Sequence, residues 1–155
     1  MIVMDCSALV EIVRGTDLGR RYRHLILTGE EVIAPELICA ELVSAFLKYV
    51  RAGRTDLTQA RESVHEAENY IDRYCQLADL QDEVMAESLR LKHSSYDLFY
   101  LVLARRNAAT LFTADRKLAD LARKVGVDCT MQLDVEGDEW TLRLETEDLR
   151  GRGDA

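Results

Sequence analysis

The chain has a single proline, Pro35, in 155 residues, and no Pro-, Gly- or Ser-rich stretch divides it. That absence disfavours two small linked domains and favours one domain with a sizeable core. No apolar run approaches the ~18–20 residues that a membrane span requires, so no membrane segment is expected. The opening Met1-Ile2-Val3-Met4-Asp5 has no basic region and meets a carboxylate at once. This is not the pattern of a secretory signal, and the expected location is cytoplasmic. Cys6, Cys39, Cys75 and Cys129 stand far apart, with no CxxC and no Cys/His pair. They read as reduced thiols and argue against a zinc site. His24, His65 and His93 are scattered and fit no triad or metal spacing, and Gly15, Gly19 and Gly29 make no phosphate loop.

What is present is ordinary globular composition, 48% hydrophobic and 31% charged, which argues against disorder. Twenty basic against 28 acidic side chains give a net charge of −8, at first sight unfavourable for a nucleic-acid ligand. The charge is uneven, however. Residues 134–155 hold eight acids and three bases, a net −5, leaving −3 on residues 1–133. If four acids of that body share one metal site, the remainder is +1, so an RNA substrate is not excluded.

The hydropathy pattern predicts short apolar strands alternating with helices. Ile2-Val3-Met4 reads as a buried strand, followed by a helix to Val13 with Ser7 as N-cap and Gly15 as stop. A second helix spans Leu18 to Leu27, with Arg20, Arg21 and Arg23 outward and Tyr22, Leu25 and Ile26 inward. Glu31 to Ala34 is a strand, and Pro35 suits the first position of a helix running to about Val50. Leu57, Ala60, Val64, Ala67, Ile71 and Tyr74 make a narrow apolar stripe predicting one helix over 55–74. Cys75 to Ala78 is a weak strand, and Asp79 is a candidate cap for a helix to His93. The helix Tyr96 to Asn107, begun by Ser94 or Ser95, is apolar almost all round and so is expected at the centre. Thr110 to Thr113 reads as a strand, Ala114 to Val125 as a helix stopped by Gly126, and Val127 to Leu133 as a last core strand. Trp140, Leu142 and Leu144 alternate with polar residues, as in an edge hairpin. The pattern predicts an α/β fold, a central mainly parallel sheet with helices on both faces, and ligands bind such sheets outside the strands' carboxyl ends.

Four acids stand where apolar residues are expected. Asp5 ends the first strand, Glu41 lies beside the apolar stripe of its helix, Asp97 begins the most hydrophobic helix, and Asp115 joins a strand to a helix. The sheet puts Asp5 and Asp115 on the carboxyl edge, within reach of Asp97 and Glu41. Four converging carboxylates are costly to bury, and no Arg or Lys alternates with them. A hard cation, Mg²⁺ or Mn²⁺, is the natural neutraliser, and a carboxylate-held divalent ion suits phosphodiester hydrolysis. Each acid also has a plainer reading: Asp5 and Asp115 as helix N-caps, Glu41 as a snorkelling or ion-paired side chain.

Four blocks carry a resemblance: Ile2-Val3-Met4-Asp5-Cys6-Ser7-Ala8-Leu9; Ala34-Pro35-Glu36-Leu37 leading to Glu41-Leu42; Ser95-Tyr96-Asp97-Leu98-Phe99-Tyr100-Leu101-Val102-Leu103-Ala104; and Leu111-Phe112-Thr113-Ala114-Asp115-Arg116-Lys117-Leu118. In this order and spacing the sequence resembles the PIN-domain nucleases, and among them the VapC-type toxins of toxin–antitoxin pairs, over about residues 1–130. The resemblance implies a three-layer α/β/α domain over 1–133 and a metal-dependent endoribonuclease site at Asp5, Glu41, Asp97 and Asp115 holding Mg²⁺ or Mn²⁺. Ser7 and Thr113 match positions that support the acidic cluster by hydrogen bonding. It further implies hydrolysis of tRNA or ribosomal RNA by in-line attack of water, a homodimer, and an antitoxin segment that enters the acidic groove. Residues 55–74 then form part of a clip meeting the partner or second protomer. Lys117 stands where many relatives have a further Asp or Asn, and the acidic extension 134–155 lies past the usual domain end.

Contacts to RNA need basic residues around the groove. Arg14 and Arg116, near the acidic segments, rank first, then Lys117, Arg20, Arg21 and Arg23, with Tyr22 for stacking. A solvated face is the plainer reading of each. Cys6 is expected to point away from Asp5, as core rather than nucleophile. Two other functions fit the residues less well. One is a non-catalytic PIN-like dimerisation or partner-binding module, which has no use for four strained acids. The other is a phosphotransferase with Asp5 as nucleophile, whose usual second Asp is here Ser7.

Overall fold

A computed structural model describes residues 1–27 and 29–130. In chain order the elements are β1 (Ile2–Met4), α1 (Cys6–Val13), α2 (Asp17–Leu25), β2 (Val32–Pro35), α3 (Leu37–Arg51), α4 (Leu57–Glu68), β3 (Arg73–Cys75), a 3₁₀ turn (Leu77–Asp79), α5 (Gln81–Leu91), α6 (Ser95–Arg106), β4 (Thr110–Phe112) and α7 (Arg116–Lys124). The four strands form one parallel sheet in the order β3-β2-β1-β4. Val3 lies between Ile33 on one side and Leu111 on the other.

All of β1 and β2 is buried, so both sides of these strands are covered, as a parallel sheet flanked by helices requires. Helix α6 packs against β1, β2 and β4, and its run from Tyr100 to Ala104 is buried without interruption. The expectation of a central all-round apolar helix is met. Among the described residues, no helix is long and apolar enough to cross a membrane.

Several boundaries differ from the sequence reading. Asp5, not Ser7, caps α1, because its carboxylate accepts the Ala8 N–H at 2.8 Å. Pro35 ends β2 rather than starting α3. The hydrogen bond of that rung is donated by Glu36 N–H to the Cys75 carbonyl (3.0 Å), so the missing proline N–H costs the ladder nothing. The helix expected over 55–74 stops at Glu68. Asp72 N–H donates to the Val32 carbonyl (2.8 Å) and its carboxylate accepts from Val32 N–H (2.8 Å), which draws residues 73–75 into the sheet as β3. Asp79 lies in the 3₁₀ turn, and Leu80 occupies the cap position of α5. In place of a core strand from Val127, the described residues have one parallel bridge, Cys129 to Leu111. The rest of that strand, the hairpin at Trp140 and the extension 134–155 lie outside the described residues.

Candidate active site

The chain runs β1-β2-β3 to one side of the sheet and then returns to place β4 on the other side of β1. The direction reverses between β1 and β4, and a crevice opens at their carboxyl ends. Asp5 follows β1 and Thr113 follows β4 at this point. A cavity of about 860 Å³ lies there, and Asp5, Glu41, Asp97 and Asp115 all line it.

Asp5 is 5% exposed. Its Oδ1 accepts the Ala8 N–H and the Ser7 hydroxyl (2.7 Å), and its Oδ2 accepts the Thr113 hydroxyl. The same two hydroxyls bind the far wall. Ser7 Oγ accepts from Ala114 N–H (2.8 Å), and Thr113 Oγ1 accepts from Asp115 N–H (3.0 Å). Ser7 and Thr113 therefore stitch the start of α1 to the turn before α7. Tyr22, buried on α2, donates its phenol to the Thr113 carbonyl at 2.6 Å and fixes the end of β4. This use removes Tyr22 from any role in stacking RNA bases. Burial, with a smaller push from the Glu41 charge, outweighs the hydrogen bonds and lifts the Asp5 pKa to about 6.

Glu41 projects from the second turn of α3 and is half-buried. Its Oε2 accepts the phenol of Tyr100 on α6, and no cation pairs with it among the described residues. Burial raises its pKa and the Asp97 charge adds to this, against the pull of the Tyr100 hydrogen bond. Asp97, in the first turn of α6, has His93 Nε2 2.8 Å from its Oδ2. Asp115 caps α7, its Oδ1 accepting from Lys117 N–H (2.7 Å) and Leu118 N–H (3.3 Å). For Asp5 and Asp115 the capping role and the place in the cavity coexist, since the capped helix ends themselves face the crevice. Among the described residues, Glu41 Oε1, Asp97 Oδ1 and Asp115 Oδ2 accept no hydrogen bond and remain available to a ligand.

Carboxylate oxygens are the donor type that a hard divalent cation takes. Among the described residues, no group of three acidic, histidine or cysteine side chains stands in metal-holding geometry. The donor chemistry fits a divalent cation, while the side chains as they stand share a cavity without closing on one point.

Cys6 also lines the cavity, on the same side as Asp5 and not away from it. Burial and the charges of Glu41 and Asp5 push its thiol up to about 12, so it stays protonated and is no nucleophile. The basic candidates fall elsewhere. Arg14 pairs with Glu11 at 3.8 Å and lies 5.1 Å over the Tyr49 ring. Arg116 and Lys117 are exposed at the start of α7, beside Asp115 but outside the cavity lining. Arg20 is tied to Asp17 and the Gly15 carbonyl, and Arg23 donates to the Ile12 carbonyl (3.2 Å).

His93, Tyr100, Lys48 and Arg54 were not legible as site residues. His93 reaches Asp97 only because Lys92 takes a left-handed conformation (φ 52°) between α5 and α6. Lys48 had a signal, since it stands seven residues, or two turns, after Glu41 on the same face.

The PIN domain family matches residues 2–124 of this chain. The crystal structure of PAE2754 from Pyrobaculum aerophilum is similar, with a TM-score of 0.66 and 26% sequence identity over 87% of this chain and 93% of that one. No curated protein matches the sequence. The PIN domain is a nuclease-type fold, usually of metal-dependent ribonucleases that use Mg²⁺ or Mn²⁺. Because the match runs from the first strand through the last described helix and takes in every carboxylate of the cavity, the chain belongs to the PIN domain family.

Proposed function

We propose that this chain is a metal-dependent endoribonuclease, with Asp5, Glu41, Asp97 and Asp115 as its catalytic, metal-holding residues, and that it is the toxin of a VapBC-type toxin–antitoxin pair. The observation that carries the reading is the lining of one cavity, at the sheet's reversal point, by four carboxylates without a cation to neutralise them. The toxin assignment is supported by the four resembling sequence blocks. With it come tRNA or ribosomal RNA as substrate, an antitoxin segment as the competing occupant of the groove, a homodimer and a cytoplasmic location. The nuclease domain spans 1–133, and 134–155 is an appended acidic extension.

A bound Mg²⁺ or Mn²⁺ supplies a deprotonated water, countercharge for the phosphate and stabilisation of the leaving oxygen. The protein's part is orientation. Ser7, Ala8 and Thr113 hold Asp5 in one rotamer, Tyr100 holds Glu41, His93 holds Asp97, and the α7 N-terminus holds Asp115. Groups so fixed require little reorganisation when the phosphodiester enters and water attacks in line with the leaving oxygen.

The test is incubation of the purified, antitoxin-free protein with total RNA and Mn²⁺, beside an EDTA control and the Asp97→Asn variant. Discrete fragments formed only by the unaltered protein with metal are expected. Neither cleavage nor metal binding by the folded protein would overturn the reading in favour of a non-catalytic partner-binding module.

A further inference from the structure

The cavity has a second end. Glu41, Ser44, Ala45, Lys48, Tyr49 and Ala52 recur at helical spacing, so a single face of α3 forms its wall from the acids to the helix C-terminus. Seven residues carry Lys48 about 10 Å along the axis from Glu41. The helix then ends in a paired backbone cap. Gly53 N–H donates to the Val50 carbonyl (2.9 Å) and Arg54 N–H to the Tyr49 carbonyl (3.0 Å), a reversal that needs the left-handed φ of 66° at Gly53. The turn brings Arg54 back to the cavity, where it joins Lys48 in the lining.

These two cations share a cavity with four carboxylates and yet pair with none of them. Among the described residues, neither Lys48 nor Arg54 makes an ion pair or a side-chain hydrogen bond, whereas Arg73, Arg90, Arg105 and Arg106 are all bound to glutamates. A cation serving only to relieve the acids would sit on them. A cation serving only the surface would not line the cavity. Arg14 adds a third positive group nearby, resting on the Tyr49 ring.

We propose that Lys48 and Arg54 form a phosphate-binding subsite, which grips a second phosphate of the same RNA strand while the scissile phosphodiester lies among the carboxylates. The inference rests on the ribonuclease reading above. A polyanion entering an acidic crevice needs countercharge away from the reacting centre as well as at it, and the two unpaired cations supply it along the α3 wall. Being remote from the reacting bond, they bind substrate and transition state alike. They are positioning residues, acting on affinity more than on turnover.

The test is titration of a short, labelled, mixed-sequence single-stranded oligoribonucleotide into the full chain with Mg²⁺, at several salt concentrations. Asp97→Asn is present throughout to prevent cleavage. Adding Lys48→Gln and Arg54→Gln should weaken binding about tenfold at low salt and lower the slope of log K against log salt by about 1.4, or ~0.7 per lost phosphate contact on a single strand. Removing the same charge at Arg123 and Lys124, in the last turn of α7, should leave the slope unchanged; thermal melts check that each variant folds. Equal slopes for the two double variants would overturn the subsite and leave the ribonuclease reading standing. No RNA binding by the parent protein would overturn both.

Discussion

Asp5 accepts three hydrogen bonds and is still held near pKa 6, because burial costs the carboxylate more than its donors return. The neutral form is therefore the one that the fold prefers. The associated stability is fully present below the unfolded value of 3.8 and is lost as pH rises through about 6. The difference is worth about 3 kcal/mol at most. In EDTA, Asp5→Asn should raise unfolding stability at pH 7.5 towards this amount and change it little at pH 4; urea melts at both pH values read the effect. Tyr100 offers a complementary test. Its phenol donates to Glu41 from a buried position, so Tyr100→Phe keeps the packing and frees the carboxylate. Cleavage kinetics should show turnover reduced about tenfold with the fold retained, the usual cost of losing a partner that orients a metal-holding group. The sequence exposed the four acids because each stood in an apolar context. It hid their partners, because Tyr100 resembles core and His93 is joined to Asp97 through a break between helices that no spacing rule describes.

At the scale of elements, the strand–helix alternation was legible almost throughout, and the errors fell where tertiary contacts overrode local pattern. The apolar stripe continues through Ile71 and Tyr74 although the helix ends at Glu68. Ile71 folds into the same core from a loop, and Tyr74 lies in an edge strand. Pro35 has the φ of a first helical residue but also that of a strand end, and pairing with β3 decided between them. Gly19, set aside as no part of a phosphate loop, has a packing role. A Cβ built there would lie 1.9 Å from the Glu11 carbonyl oxygen, so α2 crosses α1 at a distance only glycine permits. Gly19→Ala should destabilise the protein by about 3 kcal/mol, at the upper end of overpacking costs, and lower activity by moving Tyr22 off Thr113. A denaturant midpoint unchanged from the parent would contradict this. Leu98, fully buried on α6 one residue after Asp97, should cost a similar amount on truncation to Ala, through a cavity at the centre of the molecule.

For the molecule as a whole, the strand order β3-β2-β1-β4 explains why acids distant in sequence share one cavity. The two strands at the reversal point carry Asp5 and Thr113 to the same edge, and α3 and α6 bring Glu41 and Asp97 against it. Spacing alone could not force that convergence; an order of strands is a global property. A net charge of −8 also has a different meaning once four of its acids occupy one cavity and two unpaired cations line the far end. The central claim is that this cavity is built for a divalent cation, and calorimetric titration of Mn²⁺ into the full chain at pH 7.5, with a parallel melt, tests it most directly. The account predicts saturable binding that raises the melting temperature and that Asp5→Asn and Asp97→Asn each weaken at least tenfold. Binding unaffected by either substitution, or no binding by the folded protein, would contradict it.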